Sequence, residues 1–468
     1  MTPLAVAMLL GYPVVAVVLF GLMPCARALA VTFVAGWMFL PQGGFQFAGL
    51  PNYDKGMAIA LGALAGTLVG GADRLLTLRP SWLDAPMLAW CLVPLATSLS
   101  NGLGLYDGAS GIAYRACAWA LPYLLGRAHF RTAEDLRELA VVFAAGGLVY
   151  VPLCLFEVRM SPVLNTWIYG FRTNDMVHNR RYGGFRPTVF MHSGLMVGLW
   201  MSCCTLAAIW LHRAGKLRSI LGVPTVLAIP ALLVTTVLVK AVGAMVLLVA
   251  GFGALWAAQR TRKPWPHVTI AVLIVGYVVI RAGGYWQGWP IVQAAEAFDR
   301  QRAASLQYRL DNEDLLAEHA LDRPVFGWGG WGRNRVKNEK GRDISTTDGY
   351  WIIVLGQNGT VGLAAFLGVL LVPPVACVRA WGPRNWTGSP GHAAPAVLST
   401  VPLLFAVDCL PNAMFNPVYV LILGGIGTFA LTARRAAAAQ ARPQDAARLV
   451  QLAMEREASR LRTGSEAA

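Results

Sequence analysis

With 56% hydrophobic and only 13% charged residues over 468 positions, the chain is too apolar for an ordinary soluble domain. Apolar runs of about 17–25 residues recur along it, each long enough to cross a ~30 Å hydrocarbon core as a helix. The formal charge of +15 needs no nucleic-acid partner, because Lys and Arg collect on the cytoplasmic side of membrane proteins.

The first run, 3–22, lacks a basic leader and reads as a span rather than a cleaved signal peptide. Further spans are expected near 25–40, 56–77, 84–100, 109–126, 136–157, 187–211, 219–238, 240–258, 266–283, 348–377, 395–411 and 415–433. The span at 109–126 carries Arg115, so a position along the interface is the alternative for it. The expected class is an all-α polytopic membrane protein of about 12–13 transmembrane helices. Residues 220–258 form one apolar run broken only by Lys240. At ~1.5 Å per residue it is about twice the bilayer thickness, so the chain must turn back at Lys240.

The short loops 127–137, 212–218, 259–266 and 379–394 are basic and alternate so as to share one face with the tail 434–468. That face is expected to be cytoplasmic. The division is then 1–283, transmembrane helices with a basic outer loop 158–186; 284–347, a large partly helical outer loop; 348–433, the last spans; and the cytoplasmic tail.

Loop 158–186 breaks the charge rule. It carries Arg159, Arg172, Arg180, Arg181 and Arg186 against one acid, Asp175. Planar guanidinium groups bind phosphate in bidentate fashion, which gives arginines on the translocated side a purpose; interfacial snorkelling is the plainer alternative. Lys240 and Arg281 are candidates of the same kind. His192, just after these arginines, has no second histidine placed to share a metal, and a polar role is expected for it. None of the eight cysteines lies in a long polar loop, and no zinc-spaced Cys/His cluster occurs. No P-loop or Asp-x-Asp is present.

Three pieces stand together near the end of the outer loop: Ser305-Leu306-Gln307-Tyr308-Arg309 on an expected helix, the glycine-rich turn from Arg323 to Gly332 with Trp328 and Trp331, and Asp348-Gly349-Tyr350-Trp351 opening the next span. Asp348 reads either as a helix N-cap or as a general base facing a substrate hydroxyl.

In order and spacing these pieces resemble the O-antigen ligase and O-antigen polymerase superfamily of bacterial envelope glycosyltransferases. Arg181-Tyr182-Gly183-Gly184-Phe185 is similar to its Arg-x-x-Gly-x-Phe stretch, offset by one residue. Val239-Lys240-Ala241 stands where the family has a Ser-Arg turn. Ser305 and Arg309, Pro324-Val325-Phe326-Gly327-Trp328-Gly329, and Asp348 with Gly356-Gln357-Asn358-Gly359 match its later motifs. Where ligases carry a histidine as base, this chain has Asp348, which favours a polymerase-like or exopolysaccharide branch.

The resemblance implies a GT-C-like helical fold in the bacterial inner membrane, with a metal-independent, cofactor-free site on the periplasmic side. The implied substrate is an oligosaccharide on undecaprenyl pyrophosphate, with membrane lipid around it and a chain-length regulator and a flippase of the same pathway as partners. Asp348 and Arg309 would be catalytic. Arg180, Arg181, Arg186, Lys240 and Arg281 would bind the pyrophosphate, and His192, Tyr350, Trp328 and Trp331 would line the pocket. The leading expectation is polymerisation of oligosaccharide repeats. The alternatives are a ligase moving glycan to lipid A core or protein, and a lipid-linked oligosaccharide flippase. A transporter would place its charges inside the bundle at mid-membrane, whereas here they lie at the outer boundary.

Overall fold

The computed structural model describes residues 1–46, 51–173, 180–181, 183–214, 217–297, 300–330, 332–386 and 390–439. Helix dominates it, and among the described residues strands occur as three hairpins, each of two two-residue strands. Eight helices are long and apolar enough to cross a membrane: Pro3–Leu22, Trp82–Ser100, Ala133–Met160, Gly194–Arg213, Val242–Thr261, Trp265–Ala282, Tyr350–Ala380 and Pro417–Ala439. Four shorter apolar helices, Cys25–Phe39, Lys55–Gly70, Thr225–Leu238 and His392–Asp408, stand beside them. The protein is an all-α polytopic membrane protein.

The first helix, Pro3–Leu22, is only 28% buried, and Leu10, Val14, Val15 and Leu22 are exposed. A helix that exposes aliphatic side chains in this way is made for lipid. Gly194–Arg213, by contrast, is 89% buried. It is the central post of the bundle, packed by Ala133–Met160, Thr225–Leu238, Val242–Thr261 and Pro390–Asp408. Small residues permit the closest approaches. A Cβ on Gly424 would lie 2.0 Å from the Tyr123 carbonyl oxygen, and one on Gly126 would lie 2.1 Å from that of Leu421. The two backbones touch there, as membrane helices do where side chains vanish.

Several boundaries differ from the hydropathy reading for local reasons. The chain does turn at Lys240, which has φ 57° between Leu238 and Val242. The preceding helix begins only at Thr225, because Ser219–Ile220 and Val223–Pro224 pair as a hairpin. Residues 187–193, expected as helix, are not. Glu157 is fully buried, and its carboxylate accepts the Thr188 and Val189 N–H groups at 2.8 and 2.7 Å and that of Leu164 at 2.9 Å. One carboxylate thus pins both ends of the 158–189 segment, and helix resumes after the Ser193 cap. The ambiguous 109–126 span is part of a composite of Gly104–Arg115, a π-turn at Ala116–Ala120, and Leu121–His129. The partly helical 284–347 loop contains two helices, Trp289–Glu296 and Arg300–Leu321. The tail beyond 439 lies outside the described residues.

Candidate functional site

Tyr350–Ala380 is not one continuous helix. It breaks at Gly359, whose φ 63°, ψ −164° is a backbone state essentially confined to glycine. A break frees backbone groups that hydrocarbon cannot satisfy, and the glycine-rich turn satisfies them. Trp328 and Gly329 donate their N–H groups to the Gly356 and Gln357 carbonyls at 2.9 and 3.0 Å. Thr360 and Val361 in turn donate to the Pro324 and Val325 carbonyls at 2.7 and 3.2 Å. Backbone lies directly on backbone: a Cβ at Gly327 would meet the Asn358 nitrogen at 2.6 Å, and one at Gly359 the Val325 carbonyl at 2.4 Å. The two glycine motifs of the sequence are therefore halves of one joint.

Beside this joint opens a cleft of two lobes, about 670 and 460 Å³, which share Asn52, Tyr114, Ala413 and Phe415. Aromatic rings form much of the larger lobe: Trp119 lies 5.6 Å from Trp90, 6.3 Å from Tyr350 and 5.0 Å from Phe415. Asp107, Gln357 and Asn358 supply polar groups, and Asp107 accepts the Ser98 hydroxyl at 2.7 Å. The smaller lobe contains His192 and Lys55. Lys55 is buried, donates to the Phe190 carbonyl at 3.2 Å, and stands 4.4 Å above the Trp37 ring.

Arg309 and Asp348 come together. The Arg309 Nε lies 3.5 Å from the Asp348 Oδ2, with both side chains about one-third exposed. Asp348 is not the helix cap. Gly349 holds that position, without a side-chain bond. The Tyr350 N–H is taken instead by the Cys409 and Asn412 carbonyls at 2.9 and 3.2 Å, and a Cβ on Gly349 would meet the Leu410 oxygen at 2.2 Å. With the first turn satisfied by main chain, the carboxylate is left to Arg309. Arg309 also reaches the Pro411 carbonyl at 3.4 Å. The pair therefore sits two residues from the cleft-lining Tyr350 on one side and Ala413 on the other.

The remaining candidates divide. Arg186 donates to the Lys240 carbonyl at 3.1 Å, and the Lys240 ammonium lies against Gly184. These two form a second basic group, with the Arg186 side chain packed at Gly194; the adjacent Ser193 hydroxyl meets the Met414 sulfur at 3.1 Å. Arg180 lies exposed in the hairpin that pairs Arg180–Arg181 with Gly184–Phe185. Arg281 is elsewhere. It is buried and engages Glu313 at 3.4 Å, Asp314 at 2.8 Å and the Leu310 and Trp286 carbonyls at 2.9 and 2.7 Å, clamping the Arg300–Leu321 helix onto Trp265–Ala282. Burial raises the Glu313 carboxyl above its ordinary range, against the opposing pull of Tyr277 and Arg281. Trp328 stacks on His319 at 4.5 Å and under Arg323 at 4.6 Å, while its neighbours Gly329 and Gly330 line the cleft. Trp331 and the Arg181 side chain lie outside the described residues.

Among the described residues no group of three His, Cys, Asp or Glu side chains is arranged to hold a metal. No protein-family model and no curated protein matches the chain.

Sequence reading passed over Lys55 and Glu157, and took Arg115 only as a flaw in a span. Each is a charge within or directly beside an apolar run, and that placement was the available signal.

Proposed function

We propose that this membrane protein transfers glycan from a lipid-pyrophosphate donor at the end of the bundle that bears residues 284–347, and that it joins oligosaccharide repeats into a longer polymer. The observation that carries the reading is the Arg309–Asp348 pair, two residues along the chain from Tyr350 of an aromatic-lined cleft. Such a pair has the parts for the reaction. Asp348 takes the proton of the acceptor hydroxyl as its oxygen attacks the anomeric carbon. The bond to the pyrophosphate breaks, and the leaving group carries the electron pair away. Arg309 opposes the charge that develops, and Arg186 and Lys240 supply a second basic group for the same purpose. Rings such as Trp119 and Tyr350 offer flat apolar faces to sugar. The resemblance of the motifs around Arg181, Arg309 and Asp348 to the O-antigen polymerase and ligase superfamily supports the same chemistry, with undecaprenyl pyrophosphate as the carrier and the periplasmic face of the bacterial inner membrane as the place.

The test is Asp348→Asn, assayed with purified protein and labelled undecaprenyl-pyrophosphate oligosaccharide. Loss of the base is expected to slow extension by about 10²–10⁴-fold at unchanged folding, because the helix is capped by main chain and not by Asp348. Extension at the wild-type rate would refute the base role. A product ladder from the lipid-linked substrate alone identifies polymerisation; product only on adding lipid A core identifies ligation.

A further inference from the structure

Arg115 is a buried cation whose bonds inside the protein leave its charge unmatched. It is 9% exposed, lines the larger lobe of the cleft, and lies over the Trp90 ring with its guanidinium carbon 3.5 Å from the centroid. Its two hydrogen bonds go to neutral oxygens, the Trp90 carbonyl and the Asn358 amide. No carboxylate among the described residues forms an ion pair with it. Asp107, the acid on the same helix and the same lobe, is eight residues away, about 12 Å along the axis.

The surrounding backbone is shaped around this side chain. The π-turn Ala116–Ala120 begins directly after it, and π-bulges inside helices frequently mark functional positions. Its partner Asn358 immediately precedes the break at Gly359. Two helices thus give up regular hydrogen bonding at the point where they hold this guanidinium. Burying a cation without an opposing charge is costly, and a guanidinium presents a fork suited to carboxylate or phosphate oxygens.

We propose that Arg115 anchors a binding site for a sugar that carries an oxyanion, either a carboxylate on the ring or a phosphate ester. The oxyanion meets the Arg115 fork. The sugar ring lies along the Trp119, Tyr114 and Tyr350 wall, and Gln357 and Asp107 take its hydroxyls. The site makes the cleft selective for acidic over neutral glycan. This goes beyond the transfer reading, because it concerns occupancy of the cleft and is measured with no acceptor and no turnover.

Binding is measured on the full-length protein in lipid nanodiscs with three probes: digalacturonic acid, galactose 1-phosphate and neutral digalactose. The wild-type protein is expected to bind at least one of the charged probes at least about tenfold more tightly than digalactose, the equivalent of one charge-assisted contact. Which charged probe binds tells carboxylate from phosphate. Arg115→Gln is expected to remove the preference, and Arg115→Lys to retain part of it by keeping charge without the fork. Equal affinity for charged and neutral probes, or no binding of any probe, would overturn the site. The wild-type comparison stands even where Arg115→Gln fails to fold. An unchanged preference in a folded Arg115→Gln protein would also overturn it.

Discussion

Replacing Gly359 with alanine tests the joint that shapes the cleft. The native backbone there has φ 63° and ψ −164°, and holding a residue with a side chain in that region costs about 1–3 kcal/mol. The added methyl would lie 2.4 Å from the Val325 carbonyl carbon and oxygen and 2.6 Å from the Phe326 nitrogen. These are main-chain atoms and cannot rotate aside, so the turn must retreat by about 1 Å to reach ordinary contact. The bonds from Trp328, Gly329, Thr360 and Val361 now measure 2.7–3.2 Å, and that retreat carries them beyond hydrogen-bonding range. At about 0.5–1.5 kcal/mol each, they add about 2–6 kcal/mol, for a total of about 3–9 kcal/mol where the turn detaches. Gly276→Ala is the control. It is a helix-interior glycine with nothing within 4 Å of its would-be Cβ, where alanine stabilises by about 0.5–1 kcal/mol. Unfolding by denaturing detergent, combined with hydrogen exchange at the Thr360 and Val361 amides, reads both effects. Gly359→Ala within about 0.5 kcal/mol of wild type, with those amides still protected, would refute the account of the break.

Arg281→Gln removes the clamp's cation and leaves the buried Glu313 with its neighbour Asp314 unopposed; a loss of about 3–5 kcal/mol is expected in the same unfolding measurement, and a loss below about 1 kcal/mol would show the clamp to be incidental. Glu313→Gln bears on pH. The folded protein raises this carboxyl above 4.5, so the charged form is the disfavoured one in the fold. Its penalty is absent below that value and grows as pH rises through the raised folded one. Wild type should therefore lose stability relative to Glu313→Gln as pH rises across that window, and a difference that stays flat with pH would contradict the burial argument. Gly424→Ala places a Cβ 2.0 Å from the Tyr123 oxygen and should push Pro417–Ala439 off Leu121–His129, lowering the unfolding midpoint; a midpoint equal to that of the wild type would show the approach to be slack.

Hydropathy made the helices legible because a span must be long and apolar whatever surrounds it. It also located the turn at Lys240, since a run twice the bilayer thickness has to reverse. It could not show that Tyr350–Ala380 is broken. The run stays apolar through Gly359, and the turn that completes it comes from some thirty residues upstream. Between cap and base, Asp348 stayed open for a related reason. Sequence suggests the nearest polar side chain as the cap, whereas carbonyls from Cys409 and Asn412, distant in the chain, take the Tyr350 N–H. Arg309 and Asp348 were legible as candidates through their polar setting, but their pairing required the fold. Arg115 was noticed only as a flaw in a span. That it lines a cleft depends on Trp90 from one helix and on Tyr350 and Asn358 from another, which converge on it only in the fold.

The turn at Pro324–Gly329 also sets an order in which the chain must assemble. It leaves the ribosome before the helix it completes, and it has to wait. Once Tyr350–Ala380 enters the bilayer, the Gly356 and Gln357 carbonyls and the Thr360 and Val361 amides have no water to turn to, and each costs several kcal/mol in hydrocarbon until the turn arrives. Seating of the 323–329 turn and seating of that helix are therefore one event. A chain with this segment replaced by a flexible linker of equal reach should insert its earlier helices normally and then be held by quality-control proteases at this one span.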